Sequence, residues 1–490
     1  MFKLKLKSRL LLPLLGLILS LGLLVPKQPA NSASDPRIIH VLNRITYGIS
    51  PGDIEKVQSM GIDNYISSQL SPNSIPQSPR LQQQLNQFDT FNLNPAQLFA
   101  QYQPPPGTAM LSEEERKKAS QHAKVPFKQA RQAHLLRSLY SPQQLQEVMV
   151  DFWFNHFNVF VHKGQTRLWI GDYETQAIRP YALGSFRDLL GATAHHPAML
   201  FYLDNEKNTA PNSPGARGAY RGLNENYARE LMELHTLGVN GGYSQEDVIT
   251  LARILTGWSI DRQGKNGDSG FHFAKNRHDF SDKVFLGHHI QGVGKEEGEQ
   301  ALDILAKHPS TARYISYKLA QYFVADQPPS SLVELLAQRF QATDGDIRAV
   351  LTTLLTSSEF WDTQYYGAKF KTPYQYVISA VRATGVQQPK LPNLWGILGQ
   401  LGMQPYTWET PDGYKNTQDA WLNPDAMLRR VSFAMALGRG YASEDPPPDA
   451  QQLANTLGNN LSSHTQQVIA SSPKYLRTPL ILGSPEMMKK

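Results

Sequence analysis

The sequence predicts a mostly α-helical protein, a large multi-helix domain carrying a small glycine-rich hairpin or lid. Three observations predict it. Apolar residues recur at three- and four-residue spacing through most of the chain. The periodic segments open on capping residues and close on glycine. Strand-like runs are confined to one glycine-rich stretch. Of the 490 residues, 40% are hydrophobic, enough for a sizeable core. No linker within 130–440 marks a domain boundary. One large core and two lobes sharing a cleft are both compatible with that length.

Residues 1–33 read as a signal peptide. Met1 to Arg9 is basic, Leu10 to Val25 is apolar, and Ala30-Asn31-Ser32-Ala33 supplies small residues for cleavage. The apolar run is shorter than the ~18–20 residues of a spanning helix. The expectation is an exported chain, periplasmic or extracellular, beginning near Ser34, or membrane-anchored if the segment is not cleaved. Setting aside Lys3, Lys5, Lys7, Arg9 and Lys27 lowers the formal charge from +6 to +1. A nearly neutral body argues against a nucleic-acid partner. Cysteine is absent, which excludes disulfides, thiolate metal sites, Cys nucleophiles and c-type haem.

Residues 34–440 read as the helical domain. Ser50-Pro51 opens a helix with Ile54, Val57 and Met60 on one face, and Gly61 stops it. Residues 103–126, proline-rich and then densely charged, are expected to form a mobile insertion. Ser141 to Gln144 has capping-box character, and Leu145, Val148, Met149 and Phe152 follow on one face. Ser244 to Asp247 starts another helix, with Val248, Leu251, Ala252 and Leu255 buried and Gly257 at its end. Ile347, Val350, Leu351, Leu354 and Leu355 mark a further apolar face. In the glycine-rich stretch from Gly264 to Gly294, Phe271–Phe273 and Val284–Leu286 could pair as a hairpin. Residues 441–490, opened by Pro446-Pro447-Pro448, are expected to be a polar, loosely ordered tail.

Candidate chemistry gathers in three places. Asn224 to Gly238 is a charge-dense helix with Asn224 at its cap. A wheel at about 100° per residue puts Glu225, Arg229 and Glu233 on one face, opposite Tyr227, Leu231 and Leu234. That face is either a solvated ion-pair ladder or a buried carboxylate–guanidinium cluster. Glu230 and His235 lie too far apart around the wheel to share an ion, and no His-Glu-x-x-His or Glu-x-x-His step is present. His156 continues an apolar stripe, so it is a neutral core histidine or a ligand or base in a dry pocket. His278-Asp279 with Lys283 could supply a base, its orienter and an electrophilic contact, or simple turn chemistry. His195-His196-Pro197 and His308-Pro309 look like helix starts with proline at the first turn. Walker, dinucleotide and nucleophile-elbow motifs are missing, so a nucleotide cofactor is not expected. A divalent metal stays open.

These segments, in this order, resemble the bacterial family called domain of unknown function 1800. The resemblance rests on His40 to Gly48, Phe152 to Phe157, Ala198 to Asn205, Asn224 to Trp258, His278-Asp279, Lys283 with Leu286-Gly287, His308 to Arg313 with Lys318-Leu319, Pro411-Asp412-Gly413-Tyr414 and Trp421-Leu422. It spans roughly His40 to Leu437. The family is one of exported proteins without a defining activity. It implies one possible exported partner, a member of the phosphatase- and sulfatase-like domain of unknown function 1501 family. Two function classes follow. One is an uncharacterised exported binding or assembly protein acting with an envelope partner. The other is a hydrolase or metal-assisted enzyme acting on an envelope or extracellular polymer, drawing on His156, Glu225, Arg229, Glu230, His235, His278, Asp279 and Lys283.

Overall fold

The computed structural model describes residues 34–218, 220–458 and 460–490. The segment read as a signal peptide lies outside the described residues. Among those described, no helix is long and apolar enough to cross a membrane. The fold is mostly α, with two small antiparallel hairpins.

Helix α1 (Pro36–Ile45) starts where Asp35 accepts from the Arg37 amide and Pro36 fills the first turn. Helix α2 (Val125–Tyr140) leads to α3 (Gln144–His156), which runs through the centre of the molecule. Ten of the thirteen α3 residues are buried, so the single stripe seen in the sequence is part of an almost fully enclosed helix. The expected Ser141 capping box does not form. Gln69, from a neighbouring helix, accepts from the Leu145 amide at 3.0 Å instead. A helix end buried in the core must find its acceptor within the protein, and here it comes from across the core.

Next come α4 (Asn226–Glu230) and α5 (Gln245–Ile254). The Ser244–Asp247 capping box forms in full, and Gly257 takes φ +81° where a Cβ would meet the Ala274 carbonyl oxygen at 2.7 Å. The glycine-rich stretch takes part in two hairpins rather than one, the first made with a strand that precedes it. Strand β1 (Trp258–Ile260) pairs with β2 (Phe271–Phe273), and β3 (Lys283–Phe285) pairs with β4 (His288–Ile290). Leu286 and Gly287 both have positive φ. That two-residue primed turn folds the second ribbon back on itself, so Val284 cannot reach Phe271–Phe273.

Helices α6 (Lys295–Lys307), α7 (Pro309–Phe323), α8 (Ile347–Thr356) and α9 (Pro373–Ala383) follow, each with a buried apolar face. The five apolar residues expected on α8 are all buried. Residues 34–490 form one unit, without two lobes. The segment after 441 is not a loose tail. It is helical, and α10 (Pro424–Gly438) packs against α11 (Lys474–Leu482), where Pro479 sits on Gly438. Leu453, Ile481, Leu482, Met487 and Met488 are buried, and the Lys490 and Lys369 backbones bond each other. A few well-spaced apolar residues suffice to dock a polar segment, which composition averages away. Within 103–126, Glu113–His122 is a helix opened by a Ser112–Glu115 capping box, with no buried residue.

Candidate functional site

The charge-dense helix divides at Glu230. Residues Leu231–Thr236 widen into a π-helical turn, in which the Thr236 hydroxyl donates to the Leu231 carbonyl at 2.6 Å. A wheel drawn at the α-helical angle fails beyond that point. Glu225 and Arg229 stay together at 3.0 Å, joined by Gln245, and both are more than a third exposed. The solvated reading of that pair holds, and Glu233 is not part of it. His235 is turned inward and fully buried, with Nε2 unpartnered. Burial, with the Lys318 charge beside it, pushes its pKa down to about 3. Glu230 is half-buried; burial, then Glu233 and Asp412, hold its carboxyl above its ordinary range.

His156 donates from Nε2 to the His235 carbonyl at 3.0 Å, leaving Nδ1 buried without a partner. Burial first, then Lys318, keep it neutral far below its ordinary range. The structure thus brings His156 and His235 together. Glu225 and Arg229 lie apart from them on the surface.

His278, Asp279 and Lys283 belong to a separate cluster. Glu297, on α6, accepts from His278 Nε2 at 2.8 Å, Lys283 Nζ at 2.6 Å and the Gly294 amide at 2.8 Å. His278 Nδ1 faces the Thr256 carbonyl at 2.8 Å. The side chains of His278, Lys283 and Glu297 are completely enclosed. Asp279 pairs with Arg253 at 2.8 Å and accepts from the Ser281 amide, the turn chemistry open to it from sequence. This cluster clamps the hairpins to α6.

The two His-Pro steps are helix starts. The Nδ1 atoms of His196 and His308 accept from the amides of Ala198 and Ser310, both at 3.1 Å. Capping fixes the tautomer, so the other nitrogen of His196 donates to Asp172 at 2.9 Å.

A cavity of about 240 Å³ opens beside His156. The C-terminal half of α3 supplies Asp151, Asn155 and His156, and α7 supplies Lys318, Gln321 and Tyr322. The N-terminus of α9 supplies Thr372 and Gln375, and the loop at 411–417 covers it. That loop is held by Asn155, which accepts from the Tyr414 amide at 2.7 Å and donates to its carbonyl at 2.9 Å. Gly413, at φ +70°, lies so close that a Cβ would meet the Asn155 carbonyl oxygen at 2.2 Å. Asp412 accepts from Thr410, Trp408 and Lys415.

Lys318 is the exception in this wall. Among the described residues it makes no hydrogen bond and no ion pair, and its ammonium stands 5.7 Å from the centre of the Tyr314 ring. Burial first and Lys415 second lower its pKa from 10.5 to about 8, against the opposing pull of Asp412. Sequence reasoning about sites missed Lys318, Asp151 and Lys415. The usable signal was the convergence of Asn155-His156, Lys318 and Asp412-Gly413-Tyr414, blocks far apart in the chain.

Below the cavity runs a buried ionic network. Glu174 accepts from His134 Nδ1 at 2.8 Å and from the Tyr406 hydroxyl at 2.6 Å. Arg179 grips Glu147 with two hydrogen bonds. Burial alone would raise the Glu174 pKa, but His134 and two arginines hold it far below its ordinary range. Among the described residues, no three His, Asp or Glu side chains are arranged to hold a metal ion.

Residues 40–489 match the family of proteins of unknown function DUF1800. The chain belongs to that family. The DUF1800 match covers the cavity, the ionic network and the helices after 441, beyond the Leu437 limit expected from sequence. No curated protein and no solved structure matches the chain.

Proposed function

We propose that this DUF1800 protein is an exported binding protein whose cavity receives a small acidic group, presented by a partner or polymer of the cell envelope. The observation that carries the reading is Lys318, a cation lining the cavity that forms no ion pair or hydrogen bond among the described residues, the nearby Asp412 being already paired with Lys415 at 3.0 Å. A desolvated ammonium is costly unless a counter-charge arrives. The N-terminus of α9 borders the same space and also favours negative charge, and Lys415 offsets the charge of Asp412 there. At about 240 Å³ the cavity is smaller than the roughly 300–1,000 Å³ of drug-sized ligand sites, which favours one small group over an extended chain. Export is supported by the basic, apolar and small-residue order of residues 1–33.

The test is isothermal titration of residues 34–490 with sodium acetate, galacturonate, sulfate and phosphate, in parallel with Lys318→Met. The expected result is saturable binding of at least one acid and a loss of about tenfold or more in the variant, roughly 1.4 kcal/mol. Absence of acid binding, or equal binding by the variant, would overturn the reading.

A further inference from the structure

Helix α10 buries one face and leaves another bare. Arg430, Phe433, Ala434, Leu437 and Gly438 turn inward, where Gly438 meets Pro479 of α11. Pro424, Leu428, Val431 and Met435 follow one another at steps of four, three and four residues, the repeat of a coiled-coil seam. The seam lies open: Leu428 is 66% exposed, Val431 is 45% exposed, and Met435 is half-buried. Leu422 and Tyr441, just beyond the two ends of α10, are exposed as well. Single apolar residues on a surface need no partner, but these follow one line. Beside the seam, Ser432 and Ala436 border a groove of about 560 Å³ shared with Gly396 and Ile397 of the helix Leu391–Gln400. Small residues on both walls leave room there for the side chains of another helix.

The charges along this face select the occupant. Asp425 flanks the seam near its start and Arg439 near its end. Asp425 gives one oxygen to Arg429 at 2.7 Å and keeps the other free. Arg439 is exposed, and its side chain makes no hydrogen bond and no ion pair among the described residues. An antiparallel second copy, related by a two-fold axis at Val431–Ser432, brings Leu428 to Met435, Asp425 to Arg439 and Leu422 to Tyr441, and the other half repeats these contacts. Apolar then meets apolar, and acid meets base. A parallel copy holds Asp425 and Arg439 at opposite ends, unpaired, and an anionic lipid surface repels Asp425.

We propose that the protein forms a two-fold symmetric dimer through α10, packed antiparallel on α10 of a second copy. No residue of α10 lines the acid-receiving cavity, so self-association and acid binding are separate properties. One helix pair covers less than a standard interface, so the dimer dissociates at micromolar concentration.

Analytical ultracentrifugation of residues 34–490 between about 1 and 100 μM tests it. The expected result is monomer at the low end and dimer at the high end. Leu428→Glu, at an exposed position, should keep the native melting temperature and abolish the dimer across that range. Asp425→Arg and Arg439→Asp should each weaken self-association about tenfold or more, because like charges then meet twice in each homodimer. An equal mixture of those two variants should recover the native association, because acid again faces base. A native chain that stays monomeric at about 100 μM overturns the inference. So does a dimer that survives Leu428→Glu, or a mixture of the two folded charge variants that stays monomeric. The native chain and Leu428→Glu decide even if a charge variant fails to fold, which thermal melting reports.

Discussion

Two regions of this molecule set a lysine near carboxylates, Lys283 fully enclosed and Lys318 half-buried, and they differ in whether its hydrogen bonds are spent. In the hairpin clamp, Lys283 donates to Glu297 and to two backbone carbonyls, and His278 uses both ring nitrogens. Beside α3, Lys318 donates to nothing among the described residues, and the neighbouring His156 keeps a bare nitrogen. Burial alone does not mark a site. Saturated polar groups hold the fold together, while unsaturated ones in a cavity wait for a ligand.

The sharpest way to break that comparison is Glu297→Ala. Removing the shared carboxylate strands the buried Lys283 ammonium and leaves His278 Nε2 without its partner, at a cost of about 3–5 kcal/mol. Chemical denaturation should show that loss, with acid binding intact below the melting temperature. Glu297 has its pKa held down; burial opposes this, but the bonds from His278 and Lys283 outweigh it. Its stabilising contribution is therefore present above the ordinary carboxylate range and fades as pH falls through the lower folded value. A small effect on stability would place the clamp outside the structural class.

Gly413→Ala should act next. The new Cβ collides with the Asn155 backbone, and the loop must leave its left-handed conformation, for about 1–3 kcal/mol. Here binding should suffer more than stability, because the loop at 411–417 covers the cavity. Titration and melting of the same sample separate the two.

Lys318→Met should cost no stability and should raise the melting temperature at pH 7, since it removes a desolvated charge. In the native chain the amine binds acids only when protonated. Its folded pKa of about 8 lies below the ordinary 10.5. Acid affinity should thus fall about tenfold per pH unit as pH rises above about 8. Stability of the empty chain should rise as pH climbs from about 8 to 10.5, as the strained proton leaves. A flat affinity profile across pH 8 would remove Lys318 from the site.

How much of this was legible in the sequence follows the range of the interactions. Capping at Ser244 and the apolar face of α8 are local, and they stand as read. The His-Pro caps are local too. The start of α3 depends on Gln69, 76 residues away, so its local capping signal misled. Glu233 was grouped with Glu225 and Arg229 because one π-turn changes the angular step without leaving a trace in composition. The cavity needs α3, α7, α9 and the loop at 411–417 at once, and no periodicity reports such a meeting. Only the quoted family blocks carried part of it, at Asn155-His156, Lys318 and Asp412.

The smallest effect tests the surface side of the comparison. Glu225, Arg229 and Gln245 form a closed hydrogen-bonded set, as saturated as the hairpin clamp, but in water. Saturation matters energetically only where the alternative is an unsolvated charge. Released from one another, these side chains find water, whereas His278 and Lys283 find nothing. A double-mutant cycle of Glu225→Ala and Arg229→Ala should therefore give a coupling of about 0.3–0.5 kcal/mol, reduced further by salt. A coupling several times larger would mean that this face is covered in the working protein, and would identify it as the surface on which a partner sits.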